Sequence, residues 1–418
     1  MKVKLVGFKE VSLKHTLFHA LKPNEVFYPI EDGVTLLVHP GDYVYKGMVI
    51  GRYMSFDKLP ICSSISGTFL EIRDCQYVNG VKRSVVIQND FKEKMMEYSG
   101  TRSDIHSFTC DQFISIIKDA GIVGMGGDGF PTYLKYDVNK NIQTLLINAV
   151  ECEPCISSDS MIIKEKCESI LECLDAIMHI FHISECVIAV CKTNTDVIRV
   201  LETYLGTYVN IRMELVPNLY PIGWEKMLIE ETIGVTCEND PIEKGIVVQN
   251  VSTVYAIYQA LKYGTPLMER IVTFTGDMFL KPRNVIVKVG SNVRDVIHQF
   301  GRYKRNKDVY FVAGGAMMGK CLPSDDLIIE PHMNCILVLK ANTDIVEEDC
   351  IRCGRCIDVC PVHISPVLIG EHLDHDLTSY HPEKCIECGL CSYICPARIS
   401  VRSKVVEAKK KLLERKSL

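Results

Sequence analysis

Between residues 34 and 90 the apolar positions come in short alternating runs that stop at turn residues. VTLLVHPGDYVYKGMVIG (34–51) reads as strand, Pro-Gly-Asp turn, strand and Gly stop, and CSSISGTFLEI (62–72) with SVVIQND (84–90) repeats the pattern. A period of two with closely spaced turns predicts a small β-barrel or flattened sandwich over residues 1–98. Past a polar linker around 98–107 the spacing changes to alternating helix and strand. Residues 111–120 read as a helix and TLLINAV (144–150) as a buried strand. Ile163, Cys167, Ile170, Leu171, Leu174 and Met178 recur at the helical period behind a Ser157-Ser158-Asp159 cap. The strand CVIAVC (186–191) follows, so residues 105–264 are expected to form a Rossmann-like α/β domain with parallel strands.

From 265 to 342 the strand runs RIVTFTGD, NVIVKVG, DVYFVAGG and NCILVLK surround one helix, 293–300, which suggests a small β-grasp-like domain. The acidic stretch 344–349 leads into a last domain, 345–418, ending in a basic amphipathic helix (402–416) that is either a solvated face or a dock for an acidic partner. The fold class is therefore multidomain, α/β with α+β parts. The N-terminal strands resemble the barrel-sandwich of lipoyl and biotinyl carriers, with Asp57-Lys58 in the turn where those carriers place a modified Lys. Pro60 disturbs such a hairpin, so the plain reading is an exposed turn lysine.

Composition narrows the function. With 418 residues the chain can hold about three domains. A net charge of -5 and the lack of a basic stripe argue against nucleic acid. No apolar run approaches the ~18 residues that cross a bilayer, so membrane association is expected only through a partner. Twenty Cys in a large chain without a signal peptide fit a reducing cytoplasm better than a disulfide scaffold. Twelve of them lie outside the motif described next, mostly in apolar runs where a thiol acts as a small hydrophobe.

The other eight form CIRCGRCIDVCP and CIECGLCSYICP, two C-x2-C-x2-C-x3-C-P frames. In this spacing three close thiolates hold one cubane and the fourth crosses to the other cluster. Cys350, Cys353, Cys356 and Cys395 are thus expected to hold one [4Fe-4S] cluster, and Cys385, Cys388, Cys391 and Cys360 the second. Zinc also takes C-x2-C pairs, but its usual four-ligand spacings are more open than two complete frames.

A second motif, GIVGMGGDGFPTYLK (121–135), puts glycines at 124, 126, 127 and 129. Without Cβ atoms, successive N–H groups can turn toward a phosphate or a flat ring; a purely structural turn is the equal alternative. Pro131-Thr132 can begin a helix, and Lys135 would add a positive charge one turn in. NAVECEPCISSD (148–159) follows the next strand, so Glu151 and Glu153 are expected to face the same cleft and accept hydrogen bonds from ribose or nicotinamide, unless one of them caps the helix.

Taken in order, GMGGDGFPTYLK, NAVECEPCISSD, NLYPIGWEKML (218–228), GGAMMG (314–319) and the two cluster frames resemble the RnfC family, the C subunit of the Rnf electron transport complex, whose flavin core is similar to the NADH-binding subunit of respiratory complex I. The resemblance implies a barrel-sandwich hybrid domain, a flavin domain, a β-grasp domain of the SLBB type and a two-cluster domain. It implies FMN contacts at Gly124, Gly126, Gly127, Gly129, Phe130, Thr132, Lys135 and Asn148, with Tyr220, Gly223 and Glu225 close by. It also implies NAD(H) near Glu151 and Glu153, and electrons passing to other subunits of a membrane complex from its cytoplasmic face. Asp128, Tyr133 and Cys155 depart from the Ala, His and Tyr usual at those places; a charge at 128 would weaken phosphate binding unless it points outward. Three alternatives stay open: a soluble relative such as a cobalamin reductase or a proline-reductase electron donor, an iron–sulfur scaffold without a working flavin site, and a binding module whose clusters only stabilise the fold.

Overall fold

The structure, a computed structural model, describes residues 2–31, 33–54, 58–96, 101–102, 104–136, 141–237, 240–304, 308–341, 346–373 and 377–416. The alternating N-terminal runs form two facing sheets. One has the order Glu25–Pro29, Gly80–Asn89, Gly67–Tyr77, Tyr43–Val44; the other is Val34–Leu36, Val49–Tyr53, Pro60–Cys62. Their inner positions, among them Val26, Val44, Ile50, Ile65, Phe69 and Ile87, make a closed apolar core. Lys58 sits at φ 46° in this region; Asp57 lies outside the described residues.

The residues ahead of this sandwich also pair with strands and loops outside it. Val3 exchanges backbone hydrogen bonds with Tyr220 (2.8 and 2.7 Å), and Phe18–His19 adds a parallel edge strand to Arg283–Lys288. These pairings are long-range, so no local turn signal marks them. The N-terminus thereby ties three domains together.

The central domain is a fully parallel sheet in the order Ile211–Val216, Glu185–Cys191, Thr144–Ala149, Ile246–Asn250. Side chains alternate across it: Leu145 and Ile147 face the helices Cys110–Asp119, Ser158–Phe181 and Val251–Tyr263, while Leu146 faces Leu228 and Ile229 of the helix Glu225–Ile233. Parallel strands place all four carboxyl ends on one edge, where the loops of interest gather.

The third domain is a six-stranded mixed sheet in the order Phe18–His19, Arg283–Lys288, Glu269–Thr275, Cys335–Lys340, Val309–Ala313, Lys320–Leu322. The expected helix is present at Val293–Phe300, capped by Asn292 accepting Arg294 N–H at 2.9 Å. In the last domain short helices surround the cysteines, and the helix Val401–Lys416 buries Val405, Ala408 and Leu412 against them. One face of this basic helix is therefore core rather than solvated. Lys409 reaches from it to the Cys385 carbonyl (3.0 Å) and to Glu387 (2.9 Å). Among the described residues no helix is long and apolar enough to cross a membrane.

Candidate electron-transfer site

The turn at residues 124–129 is closed by Gly124 N–H donating to the Phe130 carbonyl (2.8 Å) and Gly129 N–H to the Gly124 carbonyl (3.1 Å). Met125 N–H is drawn inward to Thr253 Oγ1 (2.9 Å). Among the described residues, the N–H groups of Gly126, Gly127 and Asp128 donate to no group of the chain. Three consecutive free N–H groups, with Gly127 at φ 121°, form a concavity suited to an anionic oxygen. A Cβ at Gly126 would lie 3.4 Å from Asn250, and one at Gly129 would lie 3.4 Å from the His332 ring, so the loop is walled closely on both sides. The Asp128 side chain bends back: a Cβ at Gly124 would overlap its carboxylate, and Oδ1 accepts Phe130 N–H at 3.3 Å. Its charge stays within the turn.

The helix expected from Pro131 is a single 3-10 turn, Thr132–Lys135, too short to supply a helix dipole. Phe130 stands 43% exposed at the rim, whereas Thr132 is buried. Lys135 brings no free cation: its ammonium donates to the Val248 carbonyl (3.1 Å) and to Glu225 (3.2 Å).

Asn148, the penultimate residue of its strand, lies in register with Asn250 of the neighbouring strand. Its amide donates to the Gly223 carbonyl at 2.7 Å, and a Cβ at Gly223 would come 2.9 Å from Cys152 Sγ. Cys152 and Tyr220 share one apolar cluster with Val359, Cys388 and Leu390, and the Tyr220 hydroxyl donates to the Cys388 carbonyl at 2.6 Å. Gly126, Asn250, Asn148, Gly223, Cys152 and Tyr220 thus make a continuous floor from the Gly loop to a cysteine of the cluster domain.

Glu151 and Glu153 are the expected nicotinamide contacts, with a helix cap as the alternative for one of them, and both carboxylates accept hydrogen bonds from the chain itself. Glu151 caps the helix Ser158–Phe181: Oε1 accepts Asp159 N–H (2.8 Å) and Oε2 accepts Ser160 Oγ (2.7 Å). Ser157, the cap expected from sequence, makes no cap bond and pairs with Asn284 at 3.1 Å. Glu153 accepts the N–H groups of Met317 (3.1 Å) and Met318 (2.8 Å), while burial pushes its carboxyl above the usual range. A Cβ at Gly315 would collide with it, which accounts for the GGAMMG turn. Orphan N–H groups of a helix start and a tight turn compete for carboxylates, and here they win.

Sequence reasoning missed several residues. Asn250 caps the helix Val251–Tyr263 and donates to the buried Asp159 (2.7 Å), which also accepts from Ser252 Oγ (2.6 Å). Burial first, then the charge of Glu151, pushes the Asp159 carboxyl up to about 6. An Asn closing a strand at the carboxyl edge, just ahead of a helix, was the signal available for it. Arg270, Asn334 and His332 reach the Gly loop from the third domain, and no local pattern announces them.

Cys360, Cys385, Cys388 and Cys391 line one cavity, with Pro361, Gly389 and Leu390 around them. The same cavity brings Cys360 of the first frame beside the three close thiols of the second. In the first frame Cys350 and Cys353 are exposed and Cys356 is half-buried. Burial pushes the Cys388 thiol to about 11 and Cys391 to about 12, so iron binding there must displace protons. Among the described residues no three His, Cys, Asp or Glu side chains converge on a single-ion site.

Residues 117–259 match the Nuo51 FMN-binding domain, residues 3–92 the RnfC barrel sandwich hybrid domain, and residues 343–396 a 4Fe-4S dicluster domain. The C subunit of the ion-translocating oxidoreductase complex of Vibrio cholerae is 33% identical over 379 residues, covering 87% of this chain and 48% of that one. The chain thus spans about half the length of that relative. The C subunit of the proton-translocating ferredoxin:NAD(+) oxidoreductase complex of Clostridium ljungdahlii is 32% identical over 359 residues, covering 83% and 78%. An air-oxidized NAD+-reducing [NiFe]-hydrogenase shares the fold, with TM-score 0.50 and 16% identity over 74% of this chain and 64% of that one. On the extent of these matches, the chain belongs to the RnfC family.

Proposed function

We propose that this chain moves electrons between NADH and a partner redox complex by way of FMN and two [4Fe-4S] clusters. The observation that carries this reading is the continuous floor from Gly126 through Asn148 and Gly223 to Tyr220, whose hydroxyl touches Cys388. When bound, FMN supplies the conversion between a hydride pair and single electrons that clusters need.

The residues present fit that group. The free N–H groups of Gly126, Gly127 and Asp128 receive its phosphate, and Asn250 walls the same pocket. Asn148 offers the Gly223 side a polar edge, and the Lys135–Glu225 pair stands next to it, Glu225 being two residues on from Gly223. Glu151 and Glu153 hold the helix start and the Met317–Met318 turn that give the cleft its shape. Cys360, Cys385, Cys388 and Cys391 hold the near cluster; Cys350, Cys353, Cys356 and Cys395 hold the outer one, whose exposed ligands mark the exit. Residues 265–341 serve as a β-grasp domain of the SLBB type packed on the flavin loop. The partners are other subunits of a membrane complex of the Rnf type, with the chain peripheral on its cytoplasmic face.

The Asp128 carboxylate, held within the Gly loop, favours one competing reading, an iron–sulfur scaffold without flavin. Anaerobic purification decides between them. Flavin released on denaturation in near-equimolar amount, with NADH-dependent viologen reduction, supports electron transfer from NADH; full iron with neither supports the scaffold.

A further inference from the structure

Two carbonyls of the Gly loop are tied down from a different domain. The Arg270 guanidinium, 3% exposed, donates to the Met125 carbonyl (3.3 Å) as well as to the carbonyls of Pro331 (2.6 Å) and Ile271 (3.2 Å). The Asn334 side-chain amide donates to the Gly126 carbonyl at 3.3 Å. Both residues belong to the third domain, and His332 between Pro331 and Asn334 lies against Gly129.

The peptide plane turns these contacts into an aiming device. The carbonyl of Met125 and the N–H of Gly126 belong to one rigid unit and point in opposite directions, as do the carbonyl of Gly126 and the N–H of Gly127. Glycines on both sides of a peptide leave it little steric resistance to flipping. A donor fixed on the carbonyl holds the N–H on the opposite face. Arg270 therefore aims Gly126 N–H, and Asn334 aims Gly127 N–H, away from the third-domain donors.

We propose that Arg270 and Asn334 are positioning residues that hold the Gly loop in its anion-binding form, so that the third domain is part of the site for the phosphate of a flavin nucleotide. This rests on the reading that the loop receives FMN. Arg270 also places a buried cation behind the loop, opposed by Asp159. Asn334 contributes only its donor, so its replacement isolates the aiming effect.

The test measures dissociation constants of FMN and of riboflavin, which lacks the phosphate, by flavin fluorescence on the full chain with its clusters. The proteins are wild type, Asn334→Ala and Arg270→Lys, the last keeping the charge but not the forked geometry. Loss of one neutral hydrogen bond should weaken FMN roughly fivefold in Asn334→Ala, with Arg270→Lys at least as large. Riboflavin affinity should stay within about twofold in both. Unchanged FMN affinity in both variants, or equal losses for FMN and riboflavin, would overturn the positioning role. A wild-type chain that binds neither flavin would instead overturn the underlying functional reading.

Discussion

The hydroxyl of Tyr220, in the flavin domain, donates to the carbonyl oxygen of Cys388, a cysteine of the first C-x2-C step of the second cluster frame, at 2.6 Å. Tyr220 is 1% exposed and burial pushes its phenol far above its ordinary range, so it is a neutral, fixed donor. The partial positive charge of this O–H, held beside the backbone of a cluster ligand, favours the more negative, reduced state of that cluster. Tyr220→Phe should keep the fold at a cost of about 1 kcal/mol. It should also lower the potential of one cluster and slow its reduction, read by an EPR-monitored redox titration; an unchanged potential would refute the link.

Asp128 sets the flavin affinity in the opposite direction. Its carboxylate lies within the loop whose N–H groups face the cleft, so Asp128→Ala removes repulsion without removing a cradle atom. We expect roughly tenfold tighter FMN binding at low ionic strength, with the gain shrinking as salt is added. Equal affinities at low salt would show that the carboxylate does not act on the phosphate.

Asp159 carries a pH signature. Its folded value of about 6 lies above the ordinary 3.8, so between these pH values the folded chain holds the extra proton. Stability from this group is therefore greatest below pH 4, falls as pH rises to about 6, and is level above that. Relative to Asp159→Asn, the wild-type unfolding free energy from urea titrations should decline across that interval, by about 3 kcal/mol. A parallel pair of pH profiles would contradict the assignment.

Glu151 separates a structural carboxylate from a substrate contact. Glu151→Ala removes the cap of the helix Ser158–Phe181 and should cost about 2 kcal/mol, visible as a lower melting temperature. In the folded protein the KM for NADH should stay within about twofold of wild type. A large rise in KM at unchanged melting temperature would return Glu151 to the nicotinamide site.

Local chemistry was legible in the sequence, and tertiary chemistry was not. Cys360 could be placed beside the second frame because the rule depends on spacing alone, and the parallel strand Thr144–Ala149 followed from TLLINAV and its neighbours. The fate of Glu151 and Glu153 was open because a carboxylate after a strand serves ligand or backbone equally well. Only the fold shows Met317 and Met318 arriving beside Glu153 from a distant turn. Phe18, Arg270 and Asn334 act across domains, where periodicity carries no information.

The most direct test is anaerobic rapid mixing with NADH, following flavin and cluster absorbance separately in wild type and in Cys388→Ser. In wild type the flavin band should bleach first and the broad cluster absorbance second. In Cys388→Ser the flavin phase should persist while reduction of the near cluster is lost. Cluster bleaching that precedes flavin bleaching, or a flavin band unmoved by NADH, would contradict electron transfer from NADH along the Gly126-to-Cys388 floor.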